Sequence, residues 1–165
     1  MANRTDRATG IGTLGLISDT HGLLRPEVFA ALAGCNLVVH AGDIGKPGII
    51  DRLGALAPVV AVKGNVDTAE WARSLPSTVE VETGPVRIYV LHDVGQLEID
   101  PAAQGFGIVV SGHSHKAGYR WRNGVLYVNP GSAGPRRFRL PITVARLDLQ
   151  KMPFLPEFIE LSPGT

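Results

Sequence analysis

The sequence predicts an α/β protein with a mixed sheet, in which two sheets pack together and helices lie outside them. Short apolar runs alternate with helix-like segments in the first half of the chain, and strands dominate the second half. Most of the apolar runs end in a cluster of Gly, Asp, Asn or His. Because a sheet or helix must bury its apolar side against another layer, this order favours stacked layers of sheet and helix.

The first three strands are each followed by a helical segment. The first lies in TLGLISDTHG, and the helix RPEVFAALAG follows, with Pro26 in its first turn and Gly34 after its end. The second strand lies in CNLVVHAGDIG and precedes the helix candidate PGIIDRLGALA. The third lies in PVVAVKGNVD, and residues 68–75 are predicted to be helical.

The second half of the chain is rich in strands. In TVEVETGPVRIYVLHDVG, Gly84 and Pro85 separate two alternating runs and therefore predict a hairpin. Further strands are predicted in FGIVVSGHSH, in GVLYVNPGS and in ITVARLDL, and a last short one near EFIELS.

Length and composition limit the possible classes of protein. The 165 residues suit one domain, residues 1–165, and we expect residues 1–12 to form a flexible tail. A net charge of +1 gives no basic stripe for nucleic acid, and no apolar run is long enough to span a membrane. The lone Cys35 suits a small buried side chain, and we expect a cytoplasmic protein. Monomer and homodimer are both compatible with the sequence.

Polar residues that can bind metals follow the apolar runs. In a sheet of this kind, the carboxyl ends of the strands carry the chemistry. Here those ends read SDTHG, HAGDIG, KGNVD, LHDVG, SGHSH and NPGS. Apart from His40, which opens HAGDIG but still belongs to the apolar run, the histidines in these ends are His21, His92, His113 and His115. His40 lies inside a strand and is predicted to be a packed or hydrogen-bonded core residue.

Two of these histidines are separated by a single residue. If the chain is extended there, the imidazoles of His113 and His115 point to the same side, as two ligands of one site would need. An exposed loop with nothing bound is the alternative.

The acidic residues and Asn65 also have ordinary structural explanations. Asp43 could cap the helix that follows it, and Asn65 could be a turn residue. Asp67, with Glu70 three residues later, is typical of a capping box that opens a helix, and we predict that role for it.

Taken together, these groups form an ordered signature: DxH, GD, GN, H and GHxH, each at the end of an apolar run. This order resembles the calcineurin-like metallophosphoesterases, in particular the small single-domain prokaryotic phosphodiesterases, from Leu14 to about Arg137. The resemblance implies a four-layer αββα sandwich and two divalent metal ions between the strand ends. One ion would be held by Asp19, His21 and His115, the other by Asn65, His92 and His113, and Asp43 would bridge both.

The resemblance also implies a reaction. A metal-bridging hydroxide would hydrolyse a small phosphodiester, with Asp43, Asn65 and His92 as the catalytic group. Two ions about 3.5 to 4 Å apart activate a shared water and bind the phosphoryl oxygens of an in-line displacement. Imidazole and carboxylate ligands without thiolate suit Mn, Fe, Zn or Ni, and manganese is our first expectation.

Two positions depart from relatives of this type. Larger phosphomonoesterases have His after the motif asparagine, where this chain has Val66; the small phosphodiesterases lack that histidine as well. The small phosphodiesterases usually have Gly after the ligand histidine, where this chain has Asp93. That carboxylate could bind metal, repel an anionic substrate or turn outward to solvent, and we expect the last.

Arginines near the strand ends are candidates for substrate binding, because guanidinium suits phosphate oxygens. They are Arg25, Arg136 and Arg137, and a solvated surface role is the alternative for each. A second function class is a protein-interaction scaffold, because a retromer subunit resembles the same fold. A metal-free nucleotide-binding protein is a third hypothesis, and the sequence contains neither GxxxxGK[ST] nor GxGxxG to support it.

Overall fold

The computed structural model describes residues 3–5 and 11–161, and their strands form two sheets that pack face to face. The strands are β1 Asn3–Thr5, β2 Thr13–Ile17, β3 Leu37–His40, β4 Val59–Ala61, β5 Thr78–Glu82, β6 Arg87–Leu91, β7 Ile108–Val110, β8 Gly118–Arg122, β9 Val125–Asn129, β10 Thr143–Asp148 and β11 Glu157–Glu160. The helices are α1 Glu27–Ala31, α2 Pro47–Leu53 and two short 3₁₀ helices, Glu70–Ala72 and Val94–Gln96.

Both sheets are mixed. The six-stranded sheet has the order β1-β5-β6-β7-β9-β8, with β6, β7 and β9 parallel to one another. The five-stranded sheet has the order β11-β10-β2-β3-β4, with β2, β3 and β4 parallel. Because neighbouring parallel strands end at the same edge, the loops that follow them are brought together.

The parallel strands have continuous apolar runs because both of their faces are covered. All four residues of β3 and all three of β7 are buried, as expected for strands between two layers. Each fully buried Leu or Ile contributes about 2 kcal/mol of hydrophobic free energy. These runs therefore favour a central position for β2, β3 and β7.

Three apolar clusters separate four layers. The first lies between the sheets and includes Leu16 and Val39 from one sheet and Ile88 and Val110 from the other. The second joins the five-stranded sheet to α1 and α2. The third covers the outer face of the six-stranded sheet, where Tyr89 and residues 97–106 pack. The αββα sandwich is therefore confirmed, with an outer layer made of a 3₁₀ helix and turns on the six-stranded side.

The predicted strands are all present, but two helix predictions were too long and one strand was missed. Residues 68–75 form only the 3₁₀ helix Glu70–Ala72, and β8 was not predicted at all. Asn123 and Gly124, both with positive φ, join β8 to β9, a two-residue turn typical of hairpins. A further helix prediction was too long, since α2 ends at Leu53 rather than near residue 57.

The stretch predicted as a tail, residues 1–12, is described only in part. Asn3–Thr5 pairs in parallel with β5, and Ile11 is buried in the core between the sheets. Residues 1–2 and 6–10 lie outside the described residues. No helix within the described part of the chain is long and apolar enough to cross a membrane.

Candidate metal centre

Five loops that follow parallel strands carry the predicted ligands, and three of these strands lie in one sheet and two in the other. Asp19 and His21 follow β2, Asp43 follows β3, Asn65 follows β4, His92 follows β6, and His113 and His115 follow β7. The site therefore lies at one end of the sandwich, where the loops of both sheets meet.

The first cluster consists of Asp19, His21 and His115. The Nε2 atoms of the two histidines are 3.4 Å apart. Asp19 Oδ1 lies 3.4 Å from His115 Nε2 and 3.8 Å from His21 Nε2. Among the described residues, nothing donates a hydrogen bond to the buried Asp19 Oδ1. Three ligand atoms thus lie within 3.8 Å of one another, and one of them, Asp19 Oδ1, has no protein donor among the described residues.

The second cluster consists of Asp43 and His92, with Asp19 nearby. Asp43 Oδ2 lies 3.3 Å from His92 Nε2 and 3.7 Å from His21 Nε2. One carboxylate oxygen is therefore close to a histidine of each cluster. The other oxygen, Oδ1, accepts a hydrogen bond from the Val66 amide at 3.0 Å, which fixes the orientation of the carboxylate.

His92 is held with its Nε2 directed into the site. Its Nδ1 lies 2.8 Å from the Ala41 carbonyl oxygen, so the ring donates from Nδ1 when it is neutral. The Nε2 lone pair then faces the Asp43 carboxylate, and the buried Nε2 has no hydrogen-bond partner within the ranges 3–5 and 11–161. A lone pair opposite a carboxylate is unfavourable unless a cation lies between them, and this arrangement is typical of a metal-binding histidine.

The charge state of the two carboxylates reflects their surroundings. Burial raises the pKa of Asp43, but His92, the Val66 amide and His21 outweigh it and lower the pKa to about 2. Burial raises the pKa of Asp19 above its ordinary value, despite a hydrogen bond from the Ser18 hydroxyl. For His92, burial is outweighed by Asp43 and Ala41, and its pKa is raised. The site therefore attracts positive charge, as a proton or as a metal ion.

Five of the seven predicted ligands have left-handed backbone conformations. Their φ angles are 56° at Asp19, 47° at His21, 56° at Asp43, 70° at His113 and 63° at His115. Such angles are uncommon outside glycine and cost about 1 kcal/mol or more each. His113 and His115 do not lie on an extended segment, because β7 ends at Val110, so the condition for both rings to point to the same side is not met. The two rings point to different clusters: His115 to His21, and His113 to His92.

Two glycines permit the close packing of these loops. A Cβ at Gly64 would collide with the Asp43 carboxylate, and a Cβ at Gly112 would collide with Ser18 and Asp19. The glycines of the GN and GHxH motifs are therefore needed because carboxylates from other loops lie against their backbone.

Asp67 connects these loops but does not cap a helix. Its carboxylate accepts hydrogen bonds from the amides of Ile44 at 3.0 Å, Gly45 at 2.9 Å and Gly64 at 2.9 Å. The short helix Glu70–Ala72 begins after Ala69 without a side-chain cap, so the predicted capping box was wrong. Asp67 is a positioning residue that ties the loop of Asp43 to the loop of Asn65.

Asn129 was also missed by the sequence reasoning. Its side-chain amide donates to the Gly112 carbonyl at 2.9 Å and to the Ser114 hydroxyl at 3.0 Å. It therefore supports the loop of His113 and His115. Its position in the NPGS strand end is a signal that could have suggested this.

His40 is a buried hydrogen-bonded residue, as predicted. Its Nδ1 accepts from the Gly42 amide at 3.1 Å, and its Nε2 lies 3.0 Å from the Thr20 hydroxyl, which donates to the Ile44 carbonyl. The amide donor requires a neutral ring protonated on Nε2. Complete burial lowers the pKa of His40 to about 3.

We expect His40 to make the protein sensitive to acid. The unfolded chain takes up a proton at His40 near pH 6.5, whereas the folded chain does not until about pH 3. The stability contribution is therefore complete above pH 6.5 and falls by about 1.4 kcal/mol for each pH unit below it. NMR titration of the metal-free protein should show a His40 ring that stays neutral at pH 4.5. A His40 midpoint above pH 5 would contradict this.

Asn65 and His113 lie at the exposed rim of the centre. Asn65 lines a cleft of about 660 Å³ together with Lys63, Tyr89, His92 and Gln96. His113 is close to His92, with ring centroids 5.2 Å apart. The structure thus brings Asp19, His21, Asp43, His92 and His115 into direct contact distance, with His113 beside them and Asn65 on the adjoining cleft wall.

The prediction that Asp93 turns outward to solvent was wrong. One oxygen, Oδ1, accepts from the Gly95 amide at 2.9 Å and caps the 3₁₀ helix Val94–Gln96. The other oxygen, Oδ2, lies 3.8 Å from His113 Nε2. The carboxylate therefore faces the site.

The three candidate arginines differ in their surroundings. Arg25 is half-buried and donates to the Gly134 carbonyl at 3.2 Å, which joins two loops near the centre. Arg136 and Arg137 are both exposed. Burial lowers the pKa of His115, and the positive charge of Arg137 lowers it further. Arg137 is therefore close enough to act on the first cluster.

Comparison with known proteins identifies the family of this chain. Residues 13–152 match the model of the calcineurin-like phosphoesterase superfamily domain. The chain belongs to this superfamily. A probable metallophosphoesterase of Methanothermobacter thermautotrophicus is 34% identical over 152 residues, which cover 84% of this chain and 88% of that protein. A phosphodiesterase of Methanocaldococcus jannaschii is 26% identical, over 84% of this calcineurin-like phosphoesterase and 93% of that protein.

The fold of this phosphoesterase is shared more widely. The structure of Vacuolar Protein Sorting 29 from Cryptosporidium parvum matches it with a TM-score of 0.69 and 23% identity, over 93% of this chain and 100% of that chain. The match of residues 13–152 to the family model confirms the family predicted from the ordered signature. The unsatisfied buried atoms Asp19 Oδ1 and His92 Nε2, together with the oxygen and imidazole donors around them, fit divalent metal ions.

Proposed function

We propose that this chain is a cytoplasmic, dinuclear metal-dependent phosphodiesterase that hydrolyses a small phosphodiester. The observation that carries the proposal is the position of Asp43 Oδ2, 3.7 Å from His21 Nε2 and 3.3 Å from His92 Nε2. A carboxylate in that position can bridge two ions. The phosphodiesterase of M. jannaschii, which aligns over most of both chains, supports the same class of reaction.

The residues divide into two ligand sets that share Asp43. Asp19, His21 and His115 would hold one ion, and Asn65, His92 and His113 would hold the other. Two divalent ions supply a nucleophile at neutral pH and neutralise the phosphoryl oxygens. The donor set suits Mn, Fe, Zn or Ni, and we propose manganese as the first metal to test.

The residues of this chain prepare the centre before substrate binds. The Ala41 carbonyl holds the His92 ring with Nε2 inward, and the Val66 amide holds the Asp43 carboxylate. The Asn65 side chain would hold an ion through its carbonyl oxygen, which would leave its NH₂ group free to donate to a phosphoryl oxygen. Such pre-organised donors stabilise charge where it develops in the transition state.

The cleft beside His92 gives one ester arm of the substrate a place to bind. Its volume of about 660 Å³ falls within the usual range for small-molecule sites. Lys63 contributes a positive charge to its wall, and Asp93 and Glu98 contribute negative charges. At the other side of the centre, Arg25, Arg136 and Arg137 are proposed to contact the phosphate or the second arm.

Metal analysis combined with a hydrolysis screen tests this function. We expect two ions per chain after Mn²⁺ loading, and turnover of aryl or cyclic phosphodiesters that EDTA abolishes and Mn²⁺ restores. At most one ion per chain would exclude a dinuclear centre. If two ions bind but no diester or monoester is hydrolysed, the proposed phosphodiesterase activity is excluded.

We expect a preference for phosphodiesters over phosphomonoesters. Val66 follows the motif asparagine, is 48% exposed, and offers neither positive charge nor a proton donor. A placed histidine acting as a general acid is worth about a hundredfold to ten-thousandfold, and a monoester with nearly two negative charges has more need of it.

Val66→His should therefore raise the monoester-to-diester ratio of kcat/KM by about tenfold or more. The measurement compares matched aryl esters in both proteins with the same metal. Thr68→His, another exposed position on the same loop, is the control and should leave the ratio unchanged. Wild-type protein that favours the monoester would refute the preference, and an unchanged ratio in Val66→His would exclude residue 66 as its cause.

A scaffold function is the second candidate. It is favoured by the fold shared with Vacuolar Protein Sorting 29. The two functions differ in what the ligand residues do: in an enzyme, substitution of Asp43 abolishes turnover, whereas a pure scaffold shows no metal-dependent turnover to lose.

A further inference from the structure

Asp93 divides its two carboxylate oxygens between different tasks. Oδ1 accepts from the Gly95 amide at 2.9 Å and caps the 3₁₀ helix Val94–Gln96. That bond fixes the rotation of the carboxylate. Oδ2 is then held on the side of the site, 3.8 Å from His113 Nε2.

This separation matches the spacing among the other ligand atoms. The corresponding carboxylate-to-imidazole distances are 3.3 Å for Asp43 and His92, 3.4 Å for Asp19 and His115, and 3.8 Å for Asp19 and His21. Two atoms that each bind one ion at about 2.1 Å lie about 3 to 4 Å apart. Asp93 Oδ2 and His113 Nε2 are therefore spaced as two ligands of a single ion.

As a surface ion pair, this contact would contribute little to stability, because the His113 side chain is 45% exposed. The His113 ring also lies edge-on to His92, at an interplanar angle of 81° with 5.2 Å between centroids. Asp93 thus meets His113 at the rim of the second ligand set, next to His92 in the chain.

We propose that Asp93 is an additional carboxylate ligand of the ion held by His92 and His113. The inference rests on the proposed metal centre. With Asp43, it gives that ion two carboxylates, which strengthens binding of the hard divalent metals such as Mn²⁺. It also places a negative charge at the entrance to the cleft beside His92 and so favours substrates of low charge.

Mn²⁺ titration of the metal-free protein tests the proposal without relying on activity. Asp93→Ser keeps a side-chain oxygen that can accept from the Gly95 amide but is too short to reach an ion. Asp93→Asn keeps the shape and the cap but loses the charge. Glu98→Gln removes an exposed carboxylate five residues away and serves as the charge control. Electron paramagnetic resonance and calorimetry give the two dissociation constants.

The expected result is a rise of at least about tenfold in the dissociation constant of one ion in Asp93→Ser. The other ion and both ions of Glu98→Gln should bind as in wild type. A smaller rise is expected in Asp93→Asn, which decides the question if the serine variant does not fold. Both constants within twofold of wild type, or an equal weakening in Glu98→Gln, would overturn the proposal.

The outcome separates this inference from the proposed function. Suppose that the wild-type protein binds two ions and needs Asp93 for one of them, but hydrolyses no phosphoester. Asp93 would then be a metal ligand, and the proposed phosphodiesterase activity would be refuted. If the wild-type protein hydrolyses phosphodiesters and the Asp93→Ser variant binds both ions normally, the phosphodiesterase is supported and Asp93 is not a ligand.

Discussion

Replacement of Asp43 by Asn is expected to lower kcat/KM for a phosphodiester by at least about a thousandfold, or about 4 kcal/mol of transition-state stabilisation. Asp43 Oδ2 lies close to one histidine of each cluster, His21 and His92. The neutral side-chain amide of Asn is a much weaker bridging ligand than this carboxylate. The remaining oxygen of Asn can still accept from the Val66 amide, so the loop should keep its conformation.

Activity of Asp43→Asn should be measured with saturating Mn²⁺, together with its ion content and its thermal unfolding. A melting temperature close to wild type would assign the loss to the centre. Near-normal turnover with two ions bound would show that Asp43 does not bridge them.

Replacement of Asp67 by Ala is expected to lower the free energy of unfolding by about 2 kcal/mol or more. The buried Ile44 amide and the part-buried Gly45 and Gly64 amides would lose their acceptor, and a buried donor left without a partner costs about 1 to 3 kcal/mol. Chemical denaturation of the metal-free proteins gives the difference. Asp51→Ala, at an exposed position of α2, is the matched control and should change stability by less than about 0.5 kcal/mol.

The same Asp67 variant should also bind Mn²⁺ more weakly, because the loops of Asp43 and Asn65 lose their shared anchor. A loss below about 1 kcal/mol would mean that water replaces the carboxylate as acceptor. In that case Asp67 would not determine the arrangement of the centre.

The sequence predicted the strands and the ligand order well because both are local patterns. Buried parallel strands read as continuous apolar runs, and the ligands follow directly at their carboxyl ends. Asp19, His21 and Asp43 could therefore be assigned to strand ends from the residues that precede them in the chain. His40 could be assigned to the core because it lies within such a run.

Features that depend on contacts distant in sequence could not be predicted in the same way. Asp67 was interpreted from Glu70, its neighbour in sequence, but its partners Ile44 and Gly45 lie 23 and 22 residues away. The contact between Asp93 and the site depends on His113, which follows another strand.

Local signals were misread at two further places. Residues 68–75 have the composition of a helix, but only one 3₁₀ turn forms before the chain reaches Pro76 and the start of β5. The Asn123-Gly124 pair was available as a hairpin signal, and its positive φ angles show why those residue types occur there.

The origin of the ligands in two different sheets couples ion binding to the cohesion of the sandwich. Asp19, His21 and Asp43 are carried by the five-stranded sheet, whereas His92 and His115 are carried by the six-stranded sheet. An ion bound by residues of both sets would cross-link the two sheets at one end of the sandwich. By mass action, a ligand that binds only the folded state at a hundred times its dissociation constant adds about 2.7 kcal/mol of stability. Resistance to unfolding would therefore follow the supply of free metal, and starvation for metal would expose the chain to proteolysis.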